Sequence, residues 1–115
     1  MNIKPAVMEA TSPQPVAGVQ QVLNALADPV RLEMVRRLRN AGVPMACALL
    51  YDGINKSTAT HHFKTLREAG LTERLVIDGQ TLQRLRVDEV DAAVPGLLES
   101  VVSSANREVL SHNGF

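Results

Sequence analysis

The stretch from Asn55 to Arg86 constrains the fold more than any other part of the chain. Asn55 is a good helix N-cap, Lys56 to Ala69 can continue as a helix, and Gly70 stops it by supplying a left-handed residue after the last turn. Within that helix Ala59, Phe63, Leu66 and His62 share one stripe, while Lys56, Ser57, Thr60, His61 and Lys64 share the opposite side. The second face is polar and basic, with donors and acceptors of several lengths, as a helix lying in a DNA major groove requires. Asp78-Gly79 then separates two β-prone runs, which predicts strands over about 71–77 and 82–87 joined by a tight hairpin turn.

The remainder reads as helices. Val16 to Ala27 carries Val19, Val22, Leu23 and Leu26 on one stripe. Asp28-Pro29 starts a second helix, with Asp at the N-cap and Pro in the first turn, and Asn40-Ala41-Gly42 closes it. A short helix is expected over about Met45–Tyr51, with Asp52-Gly53-Ile54-Asn55 as the turn into the groove-reading helix. After the hairpin, Asp88 to Asp91 reads as a short acidic turn, and Pro95 starts a last helix reaching about Leu110. A helix pair followed at once by a hairpin is a winged helix-turn-helix: mainly α with a small β-hairpin. The domain spans 16–111, after a flexible N-terminal arm over 1–15 that Pro5, Pro13 and Pro15 punctuate.

Composition bears on the core and on the partner. Two Phe, one Tyr and no Trp leave an aliphatic core, and a small domain so poor in aromatics often completes its core by pairing with a copy of itself. Net charge is zero, but it is unevenly spread: +1 over 1–55, +3 over 56–86 and −4 over 87–115. The positive excess coincides with the reading helix and the hairpin. A single cysteine excludes an internal disulfide framework and fits a reducing cytoplasm. The first 15 residues lack the apolar centre of a signal peptide, and no apolar run approaches membrane-spanning length.

Two blocks carry a family resemblance. Leu26-Ala27-Asp28-Pro29-Val30-Arg31-Leu32 resembles the opening of the ArsR/SmtB family of bacterial repressors, and Ser57 to Leu71 resembles that family's Ser-x-x-Ser-x-His-Leu block ending in Ala-Gly-Leu. The hairpin at Asp78-Gly79 is similar to the family's wing, where an Arg usually follows the Gly; here it is Gln80. The likeness spans about residues 16–110. It implies a winged-helix homodimer, paired through its first and last helices, that represses transcription from a palindromic double-stranded DNA operator. The residues expected at DNA are Lys56, Ser57, Thr58, Thr60, His61, Lys64 and Arg67 on the helix, and Arg74, Gln80, Arg84 and Arg86 on the wing. The shared parity of 74, 84 and 86 suggests one face of the hairpin if no bulge intervenes.

The sensing chemistry departs from the family's metal-responsive branch, whose members carry a Cys-x-Cys pair before the reading helix or paired ligands on the last helix. Here the first segment holds Cys47 alone, and the last helix holds Glu99, Glu108 and His112 without paired spacing. Adjacent His61 and His62 diverge by about 100° on a helix and cannot face one ion. No metal site and no cofactor are therefore expected, and the sequence names no small-molecule effector. Cys47 admits two readings: a small hydrophobe filling space beside Leu50, or a thiol near a helix N-terminus that oxidises and loosens DNA binding. His62 reads as a core residue with one satisfied nitrogen. Arg31, Arg36, Arg37 and Arg39 form either a second phosphate patch or a solvated face.

Three functions follow from these residues. A sequence-specific transcriptional repressor leads. A winged-helix protein-interaction module without DNA binding is the alternative, against which the cations on both helix and wing argue. An enzyme built on Cys47 and a histidine lacks paired carboxylates, a Gly-rich phosphate loop and any Ser/His/Asp ordering.

Overall fold

Capping residues divide the helices where the chain must turn. In the computed structural model, which describes residues 8–10 and 13–112, α1 spans Val19–Ala27 and α2 spans Pro29–Ala41. The Asp28 carboxylate accepts from the backbone N–H of Val30 (2.8 Å) and Arg31 (3.2 Å), and Gly42 ends α2 in the left-handed conformation with its N–H on the Leu38 carbonyl. In α3, Lys56–Glu68, the Asn55 side chain accepts from Thr58 N–H at 2.8 Å. Strands β3 (Thr72–Ile77) and β4 (Gln80–Leu85) flank Asp78 and Gly79, both at positive φ as a type I′ turn demands. Helices α4 (Val87–Ala93) and α5 (Leu97–His112) complete the chain.

The core is aliphatic, as composition requires. Val22 and Leu26 of α1, Met34, Val35 and Leu38 of α2, and Leu66 of α3 meet Leu50, Leu71, Leu85, Val90, Leu98 and Val102. Burying each Leu or Val side chain contributes roughly 1.5–3 kcal/mol. Phe63 is the one large aromatic in this cluster, and the Tyr51 ring meets its edge at 6.2 Å.

Gly70 is required twice over. Its φ of +80° is the left-handed stop of α3, and a Cβ there would lie 2.5 Å from the Pro15 carbonyl oxygen and the Val16 Cα. The segment ahead of α1 therefore lies against the end of the reading helix, and Ala17 N–H donates to the Ala69 carbonyl at 2.9 Å. That contact keeps residues 16–17 out of α1, which starts at Val19 and not at Val16.

Five further sequence expectations change. The helix expected over 45–51 is a two-residue strand β2, Met45–Ala46, followed by a single 3₁₀ turn at Cys47–Leu49. The edge of β4 captures Met45 and Ala46 opposite Gln83 and Leu82, which leaves too few residues before Asp52 for an α-helix. The acidic turn at 88–91 is helix α4, with Asp88 and Glu89 in its positive first turn and Val90 wholly buried. Strand β4 consequently stops at Leu85, and α5 starts at Leu97, after the left-handed Gly96, rather than at Pro95. Of the arm expected to be flexible, Met8–Ala10 forms strand β1, antiparallel to β3 at Ile77, Val76 and Leu75. The sheet order is β1-β3-β4-β2, so the outer edge of β3 does not present a bare row of backbone groups. Residues 1–7, 11–12 and 113–115 lie outside the described residues.

Candidate nucleic-acid interface

Helix α3 is amphipathic in the sense its sequence prescribes. Ala59, Phe63 and Leu66 are buried, while Lys56, Ser57, Thr58, Thr60, His61 and Lys64 are exposed. Thr60 donates its hydroxyl to the Lys56 carbonyl at 2.8 Å, so toward solvent it offers acceptor lone pairs. His62 points the other way. Its Nδ1 lies 3.1 Å from Arg31 Nη1 and 3.9 Å from an Asp28 oxygen. Because a guanidinium only donates, Nδ1 is the acceptor and the ring proton sits on Nε2. Arg31 also donates to the carbonyls of Ala25 (2.7 Å) and Asn24 (3.2 Å), which ties α3 to the end of α1. His61 and His62 thus have separate roles, outward and inward, as their spacing predicts.

The wing corrects the sequence reading. The turn pairs Ile77 with Gln80, so Arg74 stands opposite Gln83 and Glu73 opposite Arg84. An even-numbered residue on one strand faces an odd-numbered one on the other. Equal parity across this hairpin therefore means opposite faces, and Arg74 and Arg84 do not share one. Arg84 is held by the Glu73 carboxylate through Nε and by Glu89 through Nη2 at 2.9 Å. Arg86 lies beyond β4 and is buried; its Nη1 donates to the carbonyls of Gly70 (2.9 Å) and Gln14, with Glu89 at 3.5 Å from Nε. Arg86 is therefore closed off from a phosphate, while Arg84, partly exposed, already has two carboxylate partners. Burial of Arg86 is offset by the two carbonyls on Nη1 and by the charge of nearby Glu89, although Nε itself has no hydrogen bond among the described residues. Arg74 and Gln80 remain exposed.

The arginines of α2 are likewise engaged. Arg36 and Arg37 converge on Glu33 at 2.7 and 2.8 Å, Arg37 reaches Asp52 in the turn before α3, and Arg39 lies 3.3 Å from Glu99 of α5. Hydrogen bonds from Arg36, then from Arg37, hold the Glu33 carboxyl down at about 2. These residues brace α2 against α5 and the turn, a third use beside the phosphate patch and the solvated face.

Sequence reasoning did not find the groove between α3 and the hairpin, about 560 Å³ in volume. Arg67 and Arg74 stand on its wall, and Cys47 and Gln83 line it from the 3₁₀ turn and β4 respectively. Cys47 is half-buried; its Sγ faces the Thr81 carbonyl at 4.0 Å and accepts from Gln83 Nε2 at 3.7 Å, so the thiol faces the wing. Burial, and then the neighbouring Arg74, push the Arg67 guanidinium below its ordinary pKa. Alternation along β4 marks Gln83 as inward, an unusual place for an amide; that was the available signal.

Among the described residues no helix is long and apolar enough to cross a membrane, and no three His, Cys, Asp or Glu side chains converge as a metal site would need. Residues 26–74 match a family model described as a helix-turn-helix domain. The chain is 39% identical over 83 residues to an uncharacterized HTH-type transcriptional regulator, YceK, of Bacillus subtilis (strain 168), covering 70% of this chain and 83% of that protein. Its fold is similar to an ArsR-like transcriptional regulator from Rhodococcus sp. RHA1, with a TM-score of 0.56 at 20% identity over 80% of this chain and 86% of the other.

Proposed function

Because the chain belongs to the HTH-type transcriptional regulators, DNA-binding proteins and not enzymes, and has an ArsR-like winged-helix fold, we propose that it acts as a homodimeric repressor at a palindromic operator. The outer face of α3 carries this reading: six exposed polar or basic side chains on a helix whose other face is anchored in the core. Ser57, Thr58, Thr60 and His61 approach base edges or phosphates in the major groove, and Lys56 and Lys64 hold phosphates. Arg67, Arg74 and Gln80 approach the backbone beside the wing. Arg84 and Arg86 are structural.

Dimerisation is supported by apolar surface left uncovered on the first and last helices. Val19 is 55% exposed, Leu23 44% and Leu110 56%. A two-fold pair through α1 and α5 covers these residues, presents two copies of α3, and matches a two-fold operator. The buried dimer area should exceed about 2,000 Å². Bound at a promoter, such a pair excludes polymerase from a cytoplasmic template.

Selection of bound sequences from random duplex DNA, followed by anisotropy titration, tests the reading. A palindromic consensus and a steep salt dependence are expected. His61→Ala should relax preference at particular base pairs without abolishing binding. Salt-independent retention, or no enriched sequence, overturns it in favour of a protein-interaction module. Sedimentation at micromolar concentration tests the pairing, and a stable monomer would remove it.

A further inference from the structure

The groove between α3 and the β3–β4 hairpin has features that a DNA-reading surface does not need. Its floor is made in part by Gln83, which is 1% exposed. The amide Nε2 reaches Cys47, but Oε1 is buried and has no hydrogen-bond partner among the described residues. Turning the amide over exchanges which atom is bonded and still leaves one without a partner. A buried unpartnered polar atom is costly, and a native protein that retains one over a cavity gains a polar contact when the cavity fills.

The wall is electrostatically one-sided. Lys56, Arg67 and Arg74 line the groove, and no Asp or Glu does. Arg67 is partly desolvated and faces the like charge of Arg74, an arrangement that an anion between them relieves. The rest of the lining combines an apolar and aromatic part, with Ala59 and Phe63 from α3 and Tyr51 beside them, and the neutral polar side chains of Thr60, Gln80 and Thr81. A volume of about 560 Å³ lies in the range of small-molecule sites, roughly 300–1,000 Å³. A duplex is convex and carries its phosphates on the outside. It can touch the rim at Lys56 and Gln80, but it cannot bring an apolar body onto Phe63 or a polar atom down to Gln83.

We propose that this groove binds a small organic carboxylate with an apolar ring body, its carboxylate between Arg67 and Arg74, its ring against Phe63, and a polar ring substituent or water meeting the Gln83 amide. Arg carries carboxylates in a planar two-bonded fork, which favours this anion over a spherical one. Resting on the DNA-binding reading above, occupancy antagonises operator binding. The ligand neutralises two cations beside the wing and crowds Lys56 and Thr60 at the entrance. The site involves no metal and no covalent step.

The probe is 2-naphthoate, titrated into the full-length protein without DNA and followed by ¹H–¹⁵N NMR, with 2-naphthamide and inorganic phosphate as controls. Saturable shifts are expected in the Gln83 side-chain amide and in the α3 and β4 backbone facing the groove. 2-Naphthamide should bind at least tenfold more weakly, and phosphate should leave the Gln83 amide unmoved. Arg67→Gln with Arg74→Gln should weaken naphthoate at least tenfold while the spectrum stays dispersed; Lys64→Gln, outside the groove, should not. No saturable shift, equal binding of the amide, or an unaffected double variant overturns the site. In a separate arm, naphthoate at tenfold its dissociation constant should weaken operator binding at least fivefold. Unchanged operator affinity with intact naphthoate binding overturns the antagonism alone. Absence of any DNA binding overturns the DNA-reading premise and leaves the NMR result standing.

Discussion

Helix α3 and the hairpin β3–β4 are both rich in basic residues, yet the helix leaves both its lysines open to solvent, while the hairpin and the residues just after it leave only Arg74 of their arginines exposed. On α3 the 3.6-residue period puts Lys56 and Lys64 on the face away from the core, and among the described residues neither forms an ion pair. On and beyond β4, Arg84 is ion-paired with Glu73 and Glu89 while still partly exposed, and Arg86 is buried against Glu89 and the carbonyls of Gly70 and Gln14. A count of cations in a sequence therefore overstates the phosphate-binding surface wherever a strand brings acids alongside. Charge on a capped amphipathic helix translates into surface; charge on a short hairpin depends on register.

The largest expected effect separates these two uses of arginine. Arg86→Ala leaves the buried Gly70 carbonyl, the partly buried Gln14 carbonyl and part of Glu89 without a partner, and should cost about 3 kcal/mol in urea unfolding. Were Arg86 a wing contact, stability would be unchanged and only DNA affinity would fall. Next comes Gly70→Ala, which strains a left-handed position and drives a Cβ into the Pro15 backbone. A loss of about 2 kcal/mol is expected, with faster exchange of the Ala17 amide as the segment lifts from α3. Wild-type stability would mean that the start of the domain is not clamped to the reading helix.

How much of this was legible in the sequence follows from how local each cause is. Asp28, Asn55, Gly70 and Asp78-Gly79 act within a few residues, and each appears where its type predicts. The outer face of α3 is equally local. The 3₁₀ turn at Cys47–Leu49 was not legible because β4, more than thirty residues downstream, captures Met45 and Ala46. The burial of Arg86 depends on Gln14 crossing the end of α3, a contact no periodicity announces. The groove has the same origin: Arg67, Cys47 and Gln83 come from three elements and become a site only once the sheet has formed.

Salt dependence sharpens the comparison at the DNA itself. Lys64→Ala should weaken binding about equally on all sequences and lower the slope of log affinity against log salt by about one unit. Arg84→Ala should leave that slope unchanged, because Glu73 and Glu89 already neutralise the guanidinium. Equal slope changes for both would return Arg84 to the interface and erase the contrast between helix and wing.

The smallest effect extends the contrast to α2, whose arginines are captured as Arg84 and Arg86 are. Hydrogen bonds from Arg36 and Arg37 hold the Glu33 carboxyl at about 2, below its ordinary 4.5. A carboxylate depressed in the folded state stabilises it above the unfolded pKa, and that contribution is lost as the pH falls from 4.5 toward 2. The Glu33 side chain is one-third exposed, so water screens the pair and the contribution is about 1 kcal/mol, well below what the shift alone would give. Glu33→Gln should therefore be less stable than wild type by about that amount at pH 7 and should converge with it near pH 2. Urea midpoints measured between pH 7 and pH 2 decide it. Parallel curves at all pH values would mean that Arg36 and Arg37 are not held by Glu33 in solution and are free to serve as the second phosphate patch.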